Sequence, residues 1–126
     1  MDPTKTHGAF SWNELTTTDP QAAAKFYSQL FGWTIQDMGA AMDHYLMASV
    51  GETGVCGLMG LPQGAPADMP PHWGSYVTVD NVEAVLARCS ELGGSTLVPP
   101  LDVPGVGRMA VLRDPQGAVL SVMAYS

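Results

Sequence analysis

The chain has 126 residues, of which 46% are hydrophobic, and its five Lys and Arg against twelve Asp and Glu give a net charge of −7. This length suits one compact domain, residues 1–126, with a core large enough to need no disulfide or metal. Nucleic-acid binding needs clustered cations that displace counterions from phosphates, and the acidic balance excludes it. No stretch approaches the about 18 consecutive apolar residues of a membrane span. Without an apolar signal segment at the N-terminus, we expect a cytoplasmic protein.

The first half of the chain predicts a strand, a helix and three more strands. Residues 9–16 are typical of a strand. Asp19 then offers an N-cap oxygen, Pro20 suits the first helical position, and Gly32 can end the helix with positive φ. Three strand-like stretches follow, at residues 33–38, 44–50 and 55–61.

The second half predicts the same order after a linker. Four prolines between residues 61 and 71 mark that linker. A strand around Tyr76, an N-cap at Asp80 and a helix ended by Gly93 and Gly94 then predict a second copy. Its last strands are expected at residues 95–98, 107–113 and 118–124, the final two joined by a type I turn at residues 114–117.

The two halves align at an offset of 61 residues. Trp12 falls on Trp73, Asp19 on Asp80 and Gly32 on Gly93. The alignment predicts an α+β fold of two tandem βαβββ modules, with module one at residues 8–61, the linker at 62–71 and module two at 72–126. A lone module would leave one sheet face uncovered, so the modules are expected to pair.

This pattern resembles the vicinal-oxygen-chelate superfamily of glyoxalase I, bleomycin-resistance proteins and extradiol dioxygenases. The resemblance rests on Asp19…Phe26-Tyr27…Leu30-Phe31-Gly32-Trp33 and on the closing Asp114-Pro115-Gln116-Gly117 hairpin. It implies two half-barrels facing each other around a cup that holds a small-molecule ligand, and a homodimer as a further expectation. Because the fold hosts unrelated reactions, the function has to be argued from the site.

Metal-dependent members of that family hold a divalent ion with His, Gln or Glu from the first and last strand of each module. Those positions fall here on Trp12, Gly57, Trp73 or Gly74, and Ser121. Since none of these is a good ligand, the resemblance predicts a protein without metal or other cofactor. A site outside the family pattern, built from His72, His44 and Glu14, stays open as an alternative.

Strand alternation predicts which side chains line the cup. The predicted ligand-binding residues are Trp12, Glu14, Thr16, Tyr76, Thr78, Arg108, Met109, Val111, Val119 and Ser121. Met47 and Met59 would either join this lining or pack in the core. Arg108, after a glycine-containing loop, would either cover the cup mouth or be a solvated charge.

Glu14 is the candidate catalytic residue. A carboxylate in the middle of an apolar strand is costly to bury without a partner, and desolvation would raise its proton affinity. It would serve as a general base or as the counter-charge of a cationic ligand. The structural alternatives are an ion pair with Arg108 or a hydrogen bond to Tyr76 or Tyr45.

Three functions follow from these residues. The leading hypothesis is a metal-independent protein of the glyoxalase and bleomycin-resistance type that binds a small molecule in the cup. The second is an enzyme, either a lyase or isomerase with Glu14 as general base or a metal-dependent one with a non-standard site. The third is an interaction module without a small ligand.

Overall fold

A computed structural model describes residues 1–61 and 69–126, so most of the predicted linker lies outside the described residues. In these ranges the strand–helix–three-strand order occurs twice, which confirms the α+β class and the two βαβββ modules. The first set comprises β1 (Phe10–Thr17), α1 (Pro20–Phe31), β2 (Thr34–Asp37), β3 (Leu46–Val50) and β4 (Thr53–Gly60). The second comprises β5 (His72–Thr78), α2 (Val82–Glu91), β6 (Ser95–Val103), β7 (Gly107–Arg113) and β8 (Val119–Tyr125). Short 3-10 turns lie at Pro3–Lys5 and Ala40–Met42.

The chain folds as two compact units whose limits cross the predicted module boundaries. One unit is Asn13–Gly74, and the other combines Met1–Trp12 with Ser75–Ser126. The N-terminal segment joins the second unit through backbone hydrogen bonds, from Gly8 to the Thr78 carbonyl and from Thr78 to the Ala9 carbonyl. The first and last residues of β1 therefore belong to different units.

In the unit Asn13–Gly74, the strands lie in the order β2-β3-β4-β1, with β1 parallel to β4 and the other pairs antiparallel. Helix α1 covers one face of this sheet, and the core between them is formed by Leu15, Ala24, Leu46, Ala48, Cys56 and Leu58. Asp19 caps the helix by accepting from the Ala22 N–H at 3.0 Å, and Gly32 ends it at φ 77°. Both caps are as the sequence predicted.

In the other unit the order is β5-β8-β7-β6, with β5 parallel to β8. Helix α2 packs its buried residues on this sheet, in a core of Val79, Val82, Leu86, Ala110 and Val122. The predicted turn at residues 114–117 is present, because the Gly117 N–H donates to the Asp114 carbonyl at 3.0 Å.

Two local predictions are wrong. Helix α2 is capped by Asn81, whose Oδ1 accepts from the Ala84 N–H, and not by Asp80. The backbone N–H of Asp80 instead donates to His7 Nδ1. Strand β6 continues to Val103, past its predicted end at residue 98. Pro99 and Pro100 are tolerated because β6 is the last strand in this order and its register shifts between Val98 and Leu101.

No helix in the described ranges has both the length and the apolar content that crossing a membrane would require.

Candidate functional site

The sheet of the unit Asn13–Gly74 has a second face, on the side away from α1. Leu15 of β1, Leu46 of β3 and Leu58 of β4 face the helix, so their neighbours along each strand face the other way. Glu14 lies directly opposite Gly57, and Thr16 lies opposite Met59. We call this surface the Glu14 face; its residues are Glu14, Thr16, Tyr45, Met47, Gly57 and Met59.

Tyr45 lies across the Glu14 face. Its hydroxyl donates a hydrogen bond of 2.7 Å to Glu14 Oε2. The phenol ring covers Gly57, because a Cβ atom built at residue 57 would overlap the ring and hydroxyl of Tyr45. Any other residue at position 57 would therefore displace Tyr45, and this glycine is what allows the tyrosine to reach the carboxylate.

The Glu14–Tyr45 hydrogen bond is one of the partnerships that the sequence left open for Glu14. A hydrogen bond to a carboxylate is stronger than one between neutral groups. Because the phenol is itself neutral, the bond orients the half-buried carboxylate without adding a charge to the face. Such a pair can accept a proton or complement a cation.

The sequence left open an ion pair between Glu14 and Arg108. The structure gives Arg108 two other acidic partners. Arg108 Nε donates to Glu83 Oε1 of α2 at 2.8 Å, and Nη1 donates to Asp102 at 3.0 Å. The hydrogen bond from Arg108 holds the pKa of the Glu83 carboxyl below its ordinary value. Arg108 thus lies on the face of its sheet that carries α2, opposite to its neighbour Met109, and does not share one lining with it.

The other predicted ligand-binding residues lie in the unit that contains α2. Tyr76 is 6% exposed and lies opposite Ser121, and Ser121 in turn pairs with Val111. The hydroxyl of Tyr76 is 3.9 Å from Met109 Sδ. The structure therefore brings these four residues together. Thr78 is buried and donates to the Pro3 carbonyl, whereas Val119 is 55% exposed at the start of β8. Trp12 is half-buried in β1 and belongs to this same unit.

The residues present do not fit the divalent metal that the fold family implies. Gly57 offers no ligand atom, and the phenol of Tyr45 occupies the space above it. Within residues 1–61 and 69–126, no three His, Cys, Asp or Glu side chains are close enough to hold an ion. His44, His72 and Glu14 contact Asp37, the Pro70 carbonyl and Tyr45 respectively, so the alternative metal site is not assembled.

Cys56 lies in the core beneath this face. Burial raises the pKa of its thiol, so it stays protonated and is a poor nucleophile.

Sequence reasoning named Tyr45 only as a structural partner for Glu14 and named Gly57 only as a missing ligand. The available signal was the glycine itself, since glycine inside a strand often marks a close approach of another group. Sequence reasoning also missed an aromatic cluster in the same unit, in which the rings of Phe26, Tyr27, Phe31, Trp33 and Trp73 contact one another.

With this geometry established, comparison with known proteins defines the class. The sequence pattern of the Glyoxalase/Bleomycin resistance protein/Dioxygenase superfamily matches residues 9–122, so the chain belongs to that superfamily. It is 38% identical over 117 residues to "Putative glyoxylase CFP32" of Mycobacterium tuberculosis, covering 91% of this chain and 45% of that protein. It is 37% identical over 127 residues to the anthracycline biosynthesis protein DnrV of Streptomyces peucetius, covering 91% of this chain and 46% of that protein. The chain thus spans less than half the length of both relatives.

Solved structures share the fold. A methylmalonyl-CoA epimerase from Mycobacterium tuberculosis matches with a TM-score of 0.67 at 11% identity, over 97% of this chain and 91% of that chain. A glyoxalase/bleomycin resistance protein/dioxygenase superfamily member from Vibrio splendidus 12B01 matches with a TM-score of 0.59 at 12% identity, over 90% and 96% of the two chains. These likenesses establish the glyoxalase-like fold alone.

Proposed function

We propose that this protein binds a small organic cation with a flat apolar body on the Glu14 face, without a metal. The observation that carries the proposal is the hydrogen bond from Tyr45 to Glu14 over Gly57. It puts an oriented carboxylate opposite Gly57, the strand position where metal-dependent relatives would place a ligand, and it puts an aromatic ring beside that carboxylate.

The rest of the face suits the apolar part of such a ligand. Met47 and Met59 are partly exposed there, and flexible thioethers adapt to irregular or aromatic surfaces. The net charge of −7 gives the protein a field that attracts cations and repels anions. A site with mostly apolar lining and a few oriented polar groups is the usual composition of a small-molecule site.

The relatives suggest a probe. DnrV is named for anthracycline biosynthesis, and daunorubicin is a fluorescent anthracycline with a flat ring system and a protonated amino sugar. It therefore has both chemical features that the Glu14 face would recognise.

The test is a fluorescence titration of daunorubicin with protein that has been treated with a chelator and desalted. We expect saturable binding at one molecule per chain. Glu14→Gln should weaken it about 10- to 100-fold, the equivalent of the 1.5–3 kcal/mol of an interaction with a charged group. Glu91→Gln is the matched control, since it makes the same substitution at an exposed site in the other unit. Absence of saturable binding, or equal affinity of Glu14→Gln and wild type, would contradict the proposal.

A second candidate function uses the same pair for catalysis. A carboxylate held 2.7 Å from a phenol can take up a proton from the carbon next to a carbonyl, which leaves an enolate, and can then return a proton to that carbon. Hydroxyacetone in D2O tests this, because a general base would exchange the hydrogens next to the carbonyl for deuterium, as seen by proton NMR. Exchange at the buffer rate, or equal exchange by Glu14→Gln, would reject catalysis and leave the binding function.

A further inference from the structure

The loop between β2 and β3 brings the chain to Tyr45. We propose that Asp37 and His44 are positioning residues: they clamp this loop so that the phenol of Tyr45 stays over Gly57 and oriented on Glu14. This inference rests on the proposed function for its effect on binding, but the placement of Tyr45 can be measured without any ligand.

Two adjacent residues of the loop adopt an unfavourable backbone conformation. Asp43 and His44 have φ of 52° and 55°, in the left-handed region that residues other than glycine seldom occupy. Conformations of this kind persist only where surrounding contacts enforce them, and they concentrate at ligand clamps. Tyr45 is the next residue, so the direction in which the chain presents its phenol depends on this backbone.

Asp43 is the C-cap of the 3-10 helix Ala40–Met42, and its N–H donates to the Ala40 carbonyl. The side chain that holds the next residue, His44, is that of Asp37, the last residue of β2. One carboxylate oxygen of Asp37 accepts from the Gly39 N–H at 2.7 Å and lies 3.1 Å from His44 Nδ1. The hydrogen bond from Gly39, aided by that from His44, lowers the pKa of Asp37, so the carboxylate is ionised at neutral pH. A single side chain therefore holds both the beginning and the end of the loop.

Backbone hydrogen bonds close the loop around this side chain. The His44 N–H donates to the Gly39 carbonyl at 2.9 Å, and the Met38 N–H donates to the Tyr45 carbonyl at 2.9 Å. The clamp is thus continuous from Asp37 to Tyr45, and loss of the His44 side-chain contact would free the residue that precedes the phenol.

The test compares three substitutions at residue 44. Asn tolerates positive φ and can donate to Asp37, Gly tolerates positive φ but donates nothing, and Val does neither. The first readout is the ring NMR signal of Tyr45 in protein labelled with 13C-tyrosine, assigned by its loss in Tyr45→Phe. The second is the dissociation constant of daunorubicin.

We expect His44→Asn to retain the wild-type Tyr45 signal and affinity. His44→Val should shift or broaden that signal, leave the Tyr125 signal unchanged, and weaken daunorubicin binding at least fivefold. His44→Gly should fall between them. If His44→Val does not fold, Asp37→Ala replaces it, since it removes both side-chain contacts. His7→Val is the control, because His7 makes a similar exposed contact with an aspartate, Asp80, in the other unit.

A wild-type Tyr45 signal in His44→Val and Asp37→Ala would overturn the positioning role. A shifted signal with unchanged daunorubicin affinity would overturn its link to binding. Failure of the wild type to bind daunorubicin would overturn the proposed function instead, while the Tyr45 signal would still decide whether the clamp exists.

Discussion

The two units of this protein share a strand order but differ in chemistry at equivalent places. In the unit with α1, one residue pair of the parallel strands on the face away from the helix is Glu14 and Gly57. In the unit with α2, a pair on the corresponding face is Tyr76 and Ser121. The first pair is a carboxylate opposite a residue without a side chain, so a tyrosine from a loop can enter. In the second pair, Tyr76 itself supplies a buried aromatic ring. The same topology thus gives one unit an oriented acid and the other a tyrosine in its own strand.

The largest effect should come from the core that supports the Glu14 face. Leu58 lies in β4 directly after Gly57 and is 0% exposed. Leu58→Ala should lower the free energy of unfolding by about 2–5 kcal/mol, since it removes buried contacts and leaves a cavity. Urea unfolding followed by circular dichroism measures the change. Leu92→Ala, at a site 61% exposed in the other unit, should change it by no more than about 0.5 kcal/mol; equal costs would mean that the two sites are not packed as described.

The next effect tests the glycine that distinguishes the two units. Gly57→Ala should lower the free energy of unfolding by about 1–3 kcal/mol, because the added methyl group overlaps the ring of Tyr45. Gly74→Ala, in the same unit, meets no atom within 4 Å and should be much milder.

A double-mutant cycle decides whether Tyr45 is the cause of that cost. If it is, Tyr45→Ala should relieve the cost of Gly57→Ala, with a coupling of about 0.5–3 kcal/mol. Additive costs would place the ring of Tyr45 elsewhere.

A smaller difference is expected between the stabilities lost on removing two tyrosine hydroxyls, one in each unit. Tyr45 donates to a carboxylate, whereas the hydroxyl of Tyr125 lies 2.8 Å from the neutral hydroxyl of Ser11. Tyr45→Phe should cost about 1.5–3 kcal/mol and Tyr125→Phe about 0.5–1.5 kcal/mol, because hydrogen bonds to charged groups contribute more. Thermal unfolding of the two variants side by side gives the comparison, and the reverse order would contradict the hydrogen bond from Tyr45 to Glu14.

The structural features that depend on local sequence signals were predicted correctly. The caps of α1 depend on Asp19 and Gly32 themselves, and both were found. The cap of α2 was misplaced by one residue because Asp80 and Asn81 are both good acceptors. The contact of Asp80 with His7, 73 residues away, is not visible in the local pattern.

The candidate site was less predictable for the same reason. Glu14 was identified because burying a carboxylate in an apolar strand is energetically costly, but its partner Tyr45 lies 31 residues away. That partner is placed by a loop in which Asp43 and His44 adopt positive φ. Neither residue type demands that conformation, so only the folded loop shows that the tyrosine reaches the carboxylate.

The smallest effect concerns the charge network on the α2 side of the other unit. Arg108 donates to Glu83 and lowers the pKa of that carboxyl, so Arg108→Met should raise the pKa of Glu83 toward its ordinary value of 4.5. In the wild type the unfolded state binds more protons just below that pH, so the contribution of Glu83 is present above pH 4.5 and is lost as the pH falls through its lower folded-state pKa. The variant should therefore lose stability less steeply on acidification, in carboxylate NMR titrations and in unfolding measured from pH 6 to 3. Arg88→Met removes an equal charge from α2, where Arg88 pairs with Glu91, and should leave the Glu83 titration in place. An unshifted Glu83 in Arg108→Met would contradict the ion pair between Arg108 and Glu83.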